Sequence, residues 1–185
     1  MTEIEVVGSG VAGLSAAHAA AARGARVRLV TASEGPDAAC CSWWAGGMLA
    51  PDCEMESAEP LIGRLGAEGI AFWRSRTPPP VEAGTLVVAA GRDRPELSRF
   101  ARRTGGHRPV AGEEIAALEP DLAGRFGEGL FFEGEGHVDA RAALRALWEE
   151  LPGLGVAVER RRLPASELAA PPPGTARIDC RGLAA

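Results

Sequence analysis

Three glycines near the start of the chain have the spacing for phosphate chemistry. Gly8-Ser9-Gly10-Val11-Ala12-Gly13 follows a short apolar run at 4–7 and opens an Ala-rich stretch at 14–23. In a strand–turn–helix the first glycine permits the tight turn and the second lets backbone approach a pyrophosphate. The third lets helix and strand pack closely. The helix N-terminus behind them adds free N–H groups and a partial positive charge. A Gly-rich turn in an ordinary α/β protein is the bland alternative, and the strand before and helix after favour the dinucleotide site. An acid is expected about 20 residues on, at the end of the next strand, to bind a ribose. That position reads Thr31, then Ala32, Ser33 and Glu34. Thr31 offers a weaker hydroxyl contact, or Glu34 reaches back from the loop, or affinity is reduced. No basic residue replaces the acid, so nothing favours a 2′-phosphate.

A second segment, 40–54, carries Cys40, Cys41, Ser42, Trp43, Trp44 and the pair Gly46-Gly47 ahead of Met48. Small residues there allow backbone to lie flat against a planar ring, which bulky side chains would prevent. Trp43 and Trp44 can stack on a ligand or pack in a core. Cys40, Cys41, Cys53 and Cys180 form neither a CxxC pair nor a framework, and reduced thiols are expected. His107 and His137 lack partners at metal-ligand spacing, so surface or capping roles are expected and no metal. Arg160-Arg161-Arg162 reads as a solvated turn rather than a basic patch. Nothing resembles a Ser-His-Asp triad or a Walker loop.

These residues need elements to hold them. The run at 4–7, the helix at 14–23 ended by Gly24, and the alternating strand at 26–30 make a βαβ start, the unit of a parallel sheet. Ser57 can cap a helix through 75, with Pro60 in its first turn and Leu61, Leu65, Phe72 and Trp73 on one face. Thr77-Pro78-Pro79-Pro80 breaks it. Strands are expected at 85–90, 130–133, 156–158 and 176–180, with helices at 95–103 and 113–118 and a polar, Pro-rich stretch at 160–173. Asp139 caps an amphipathic helix whose Leu144, Leu147, Trp148 and Leu151 form one apolar stripe.

Composition bounds the functional class. The 185 residues are 46% hydrophobic and 24% charged, which is the balance of a folded soluble protein. Twenty basic against 25 acidic residues give a net charge of −5, which excludes a chain that coats nucleic acid. All basic residues are Arg, and Lys, Asn, Gln and Tyr are absent, the mark of a GC-rich coding bias. The longest small-apolar run, 11–22, is interrupted by His18 and falls short of the ~20 residues needed to span a membrane. No membrane segment or secretory signal is expected, and the cytoplasm is the expected compartment.

The chain resembles the D-amino-acid-oxidase family of FAD-dependent amine oxidoreductases, and within it the glycine-oxidase branch of thiazole (thiamine) biosynthesis. The resemblance rests on Gly-Ser-Gly-Val-Ala-Gly at 8–13, Ser-Trp-Trp-Ala-Gly-Gly-Met-Leu-Ala-Pro at 42–51, and Glu54. It continues with Gly84-Thr-Leu-Val-Val, Leu118-Glu-Pro, Gly136-His-Val-Asp139 and Asp179-Cys-Arg-Gly182, in the family's order. It implies FAD as cofactor, with phosphate contacts at Val11 and Ala12 beside Gly8, Gly10 and Gly13. Ribose contacts are implied at Thr31 and Ala32, with Thr31 where the family usually has Glu. Ribityl and pyrophosphate contacts are implied at Cys41 and Ser42, ring contacts at Gly46, Gly47 and Met48, and an adenine contact near Leu163.

The same resemblance implies an α/β, Rossmann-like FAD-binding domain plus the beginning of an α+β substrate domain, incomplete at the C-terminus. Expected boundaries are 1–77 for the first FAD-binding part, 78–136 for the start of the substrate domain, and 137–185 for the return. The implied reaction is oxidative deamination of glycine or a similar small amino acid, with oxygen as electron acceptor. The family's substrate-carboxylate Arg lies in the half that follows Ala185, so no catalytic residue is named. The chain is expected to be the N-terminal portion of such an oxidase. A non-catalytic FAD- or nucleotide-binding subunit that needs a partner chain is the alternative. A homo-oligomer or a complementing C-terminal half is the expected protein partner. An NAD-dependent dehydrogenase is disfavoured by the 42–51 segment.

Overall fold

The computed structural model of the chain describes residues 3–182. In chain order the main elements begin with β1 (Glu3–Val7), α1 (Val11–Ala22), β2 (Arg26–Thr31), a 3-10 turn (Cys41–Trp44), β3 (Met48–Leu49), α2 (Pro51–Glu54) and α3 (Pro60–Arg74). They continue with β4 (Thr85–Val88), α4 (Arg94–Arg103), β5 (Arg108–Ala111), α5 (Gly112–Leu118), β6 (Glu128–Phe132) and β7 (Gly136–His137). Last come α6 (Ala140–Glu150), β8 (Ala157–Arg160), α7 (Ala165–Leu168) and β9 (Thr175–Asp179). No helix among the described residues is long and apolar enough to cross a membrane.

Two compact units result, one from residues up to Gly46 together with those from Asp139 onward, the other Gly47–Val138. The first break therefore falls at 46/47 rather than at the proline run after Thr77. Contacts decide this, not punctuation: β3 pairs with β7, and α3 packs on α2 and β3.

The first unit is a parallel sheet of order β8-β2-β1-β9. Helix α1 packs on β1, β2 and β9 and against α6, through buried Leu14 and Ala17. Alanine on this face lets helix and sheet come close. His18 is buried there; its Nε2–H donates to the Leu147 carbonyl at 2.8 Å, tying α1 to α6. Helix α6 starts as expected, with Asp139 Oδ1 accepting from the amides of Arg141 and Ala142 at 2.9 and 3.0 Å. Its Leu144, Leu147 and Leu151 are buried.

The other face of this sheet carries charge. Glu5 is 1% exposed and sits in register between Arg28 on β2 and Arg177 on β9. Arg28 Nη2 reaches the Glu5 carboxylate at 2.6 Å, and Arg177 Nε donates to its other oxygen. Arg28 continues to Glu159 at 3.0 Å, and Arg161 binds both Glu159 and Glu167. Val7, Val30 and Leu163 close an apolar patch on the same face, with Leu168 of α7 against it. The Arg160-Arg161-Arg162 run is therefore not a simple solvated turn. Arg160 ends β8 and Arg161 is bound into the ion ladder, because β8 runs two residues past the expected 158.

The second unit holds an antiparallel sheet of order β4-β6-β5. Central β6 is apolar on both faces, so its Gly-Leu-Phe-Phe run is continuous rather than alternating. Leu130 and Phe132 pack with Leu97 of α4, and Phe131 packs with Val110 and Ile115 of β5 and α5. Strand β5 was not anticipated, because Pro109 argues against a strand; an edge position tolerates it. The short β3–β7 pair was also missed. Helix α3 departs from its expected cap: Glu59 precedes it without a side-chain bond, while the Ser57 amide closes α2 on Glu54 O. Leu61 and Leu65 are exposed and Ile70 is the buried residue, because α3 meets α2 through Gly63 and Gly66 against Met55 and Pro51.

Two outcomes follow for stability. Glu5→Ala removes the carboxylate that joins two arginines, leaving Arg28 with Glu159 and Arg177 with backbone carbonyls alone, and costs ~3 kcal/mol, read as a lower urea midpoint. Asp139 carries a carboxyl held below its ordinary value, first by the Ala142 amide and then by that of Arg141. A depressed pKa contributes stability that is complete above the unfolded aspartate value of ~3.9 and is lost as pH falls through the folded value. The stability deficit of Asp139→Ala is thus full at neutral pH and shrinks in acid, measured by thermal melts across pH.

Candidate functional site: a glycine turn at the C-terminal edge of a parallel sheet

The turn between β1 and α1 is held open by what glycine lacks. Gly8 has φ +109°, and a Cβ there would lie 2.6 Å from the Cys180 carbonyl oxygen. A Cβ on Gly13 would fall well inside van der Waals contact of the Gly8 carbonyl, so the third glycine lets α1 press on the end of β1. Gly10 is the N-cap of α1 and has no side chain of its own to satisfy the helix amides. The first-turn N–H groups have no partner within a helix. A Cβ on Gly10 would meet Cys40 Sγ at 3.1 Å and Ser42 Oγ at 3.2 Å.

Ser42, in the 3-10 turn, accepts from the Val11 amide at 3.1 Å. The structure thus brings Gly8, Gly10, Val11, Gly13 and Ser42 together, with exposed Ala12 on the same first turn and exposed Cys41 preceding Ser42. A pyrophosphate fits this arrangement: backbone donors at a helix end, a hydroxyl, and no Cβ in the approach.

Thr31 ends β2 as expected but is buried, with its hydroxyl 2.8 Å from Ser9 Oγ and accepting from the Ser33 amide at 3.2 Å. Ala32 follows and is exposed. Leu163 is buried in the apolar patch with Val7 and Val30 rather than presented at the surface. Gly46 is exposed, with open space where a Cβ would project. Trp44 is 66% exposed, so it is no core residue. The guanidinium of Arg141 lies 5.3 Å from the Trp43 ring centre and 5.4 Å from that of Trp44.

Gly47 and Met48 belong to the second unit. Gly47 has φ +71°, its carbonyl accepts from the Val138 amide at 2.9 Å, and a Cβ would run into the Val138 carbonyl. Met48 pairs with His137 across the β3–β7 ladder and is 64% exposed. It borders an open groove of about 470 Å³ together with Cys53, Glu54, Thr85, Val87 and Phe100.

Sequence reasoning missed Glu135. It is fully buried, with Oε1 accepting from the Cys53 amide at 2.8 Å and Oε2 unpartnered among the described residues. Its neighbour Asp52 has a carboxyl pushed up by burial and then by the Glu135 charge, with His107 partly opposing. The only signal was an acid placed between Gly134 and Gly136, which charge patterning alone does not separate from a solvated turn.

Comparison with known proteins gives the context. The family described as FAD dependent oxidoreductase matches residues 3–168. A Rhizobium etli protein described as the thiamine biosynthesis oxidoreductase ThiO is 51% identical over 145 residues, which are 78% of this chain and 44% of that protein. Glycine oxidase from Geobacillus kaustophilus superposes with a TM-score of 0.68 at 22% identity, over 86% of this chain and 47% of that one. The FAD-bound L-alpha-glycerophosphate oxidase of Mycoplasma pneumoniae gives 0.70 at 22% identity, over 85% and 44%. At that identity the two structures show a shared fold. The chain spans about half the length of the relatives it matches.

The thiols around both units differ in reactivity. Burial and then the Glu135 carboxylate push the Cys53 thiol far above its ordinary value, and burial with Asp179 raises that of Cys180. A raised pKa lowers the thiolate fraction at pH 8, and thiolate is the nucleophile. Iodoacetamide labelling followed by peptide mapping therefore modifies exposed Cys41 before Cys53 and Cys180.

Proposed function

Because this chain belongs to the family of FAD dependent oxidoreductases, we propose that it is the cofactor-binding portion of a cytoplasmic oxidase acting on glycine or a similar small amino acid. The observation that carries this reading is the cap of α1 at Gly10, free of any side-chain bond, with the Ser42 hydroxyl on the adjacent Val11 amide. The amides of Val11 and Ala12, with Ser42, would hold the pyrophosphate. The edge at Thr31 and Ala32 would face the adenosine. Cys41 would border the ribityl chain, and Leu163 would back the adenine from within its apolar patch.

When bound, FAD supplies the two-electron oxidation of the substrate C–N bond. The amine gives up one hydrogen from Cα and one from nitrogen to become an imine, and oxygen takes up both as hydrogen peroxide. Gly46 and Gly47, without side chains, would leave room for a flat ring, and Met48 would wall the substrate pocket. The chain's own work is binding and orientation, which set the reacting atoms in line. No residue described here is assigned to the chemical step.

Titrating the chain with FAD while following flavin fluorescence polarisation tests the reading. Saturable one-to-one binding is expected, weakened ~10-fold or more in Gly10→Val with an unchanged circular dichroism spectrum. Polarisation that stays at the free-flavin value across the wild-type titration would overturn it.

A further inference from the structure

We propose that Glu34, oriented by Arg160, binds the adenosine ribose hydroxyls, in place of an acid at the end of β2. This rests on the reading of the glycine turn as a dinucleotide site. The residue that ends β2 is not free to do the work. The Thr31 hydroxyl is buried, shared with Ser9 Oγ, and takes the Ser33 amide. A hydroxyl has one donor and two acceptor positions, so two of the three are already engaged on a buried side chain.

The neighbouring strand supplies an alternative. Arg160 ends β8 directly in register with Thr31, and the next amide, of Arg161, donates to the Thr31 carbonyl at 2.8 Å. From this position Arg160 Nε meets Glu34 Oε2 at 2.9 Å. The pair is fixed to the β2–β8 side of the edge at which the glycine turn also opens. Both side chains are largely exposed, 86% for Glu34 and 54% for Arg160. An exposed ion pair contributes little to stability, so the fold has no need of it.

The chemistry matches a vicinal diol. A carboxylate accepts only, through two oxygens with about four lone-pair positions, and Arg160 occupies one of them. Two ribose hydroxyls can donate to those that remain. Arg160 acts as a positioning residue: it limits the rotamers of a long, exposed acid and sets the direction of its free oxygen. The Glu34 charge also opposes a 2′-phosphate, so hydroxyl is selected over phosphate.

Isothermal titration calorimetry of the 185-residue chain with ADP, 2′-deoxy-ADP and adenosine 2′,5′-bisphosphate tests this. Wild type is expected to bind ADP ~5- to 10-fold more tightly than 2′-deoxy-ADP, and the bisphosphate more weakly than ADP. Glu34→Ala is expected to lower ADP affinity by at least a similar factor, to lower 2′-deoxy-ADP affinity less because only a 3′-hydroxyl contact is lost there, and to erase the discrimination. Arg160→Gln is expected to lose about 2- to 3-fold for ADP. Unaltered affinities and discrimination in Glu34→Ala would overturn the assignment while leaving the cofactor-site reading intact. A wild-type preference for the bisphosphate would overturn it in favour of Arg160 as a phosphate ligand. Failure of the wild-type chain to bind any of the three nucleotides would overturn the dinucleotide reading and the assignment with it.

Discussion

The contact between Gly13 and the Gly8 carbonyl governs the first unit. A side chain at 13 could not coexist with that oxygen, so α1 begins as close to the end of β1 as backbone permits. Closeness at this point places the amides of the first helical turn at the C-terminal edge of the sheet. It also leaves only backbone and small groups around Gly10, which the Ser42 hydroxyl and Cys40 thiol border without filling. The rest of α1 then follows from packing: Leu14 and Ala17 go under, and His18 is carried to the Leu147 carbonyl. One close approach thus links the geometry of a binding turn to the seating of two helices.

The opposite face of the same sheet solves a different problem. Charged residues alternate with Val7 and Val30 along strands that would otherwise be uniformly apolar. Glu5 is tolerated in the interior because each carboxylate oxygen has its own guanidinium, delivered by the flanking strands in register. Breaking such a pair is costly even where forming it gains little, since the partner left behind stays desolvated. A one-residue slip of β2 or β9 would turn Arg28 or Arg177 to the helical face and leave Glu5 unmatched. The ladder therefore specifies strand register more than it adds stability.

Legibility in the sequence followed the strength of local signals. The βαβ start, the Asp139 cap and the stripe of α6 could be read because periodicity and end signals agree within one element. Strand β5 could not, since Pro109 is acceptable only at a sheet edge and edge status is a tertiary property. The two-residue β3 and β7 have no period to detect. The boundary at 46/47 was hidden for the same reason: β3 is recruited by β7, some ninety residues away, while the proline run after Thr77 is only a local break. Ser57 looked like a cap by type, yet its amide is spent on α2, and α3 begins at Pro60 without a side-chain cap. Within the candidate site, the glycine turn was readable and the engagement of Thr31 with Ser9 was not, because Ser9 looked like a spacer between two glycines.

That last pair also explains why an acid can be dispensed with at the end of β2. A carboxylate at position 31 would stand beside Ser9 in a buried place and would need a ligand or a cation to balance it. Threonine instead closes a neutral pair within the protein, joining the glycine turn to the end of β2 at 2.8 Å. The edge is then preorganised by hydroxyls rather than by a desolvated charge. Negative charge moves outward to Glu34, where water and Arg160 hold it without a burial cost. Rigidity at the turn and charge at its rim, combined in one acidic side chain in the general pattern, are divided here between two residues three positions apart.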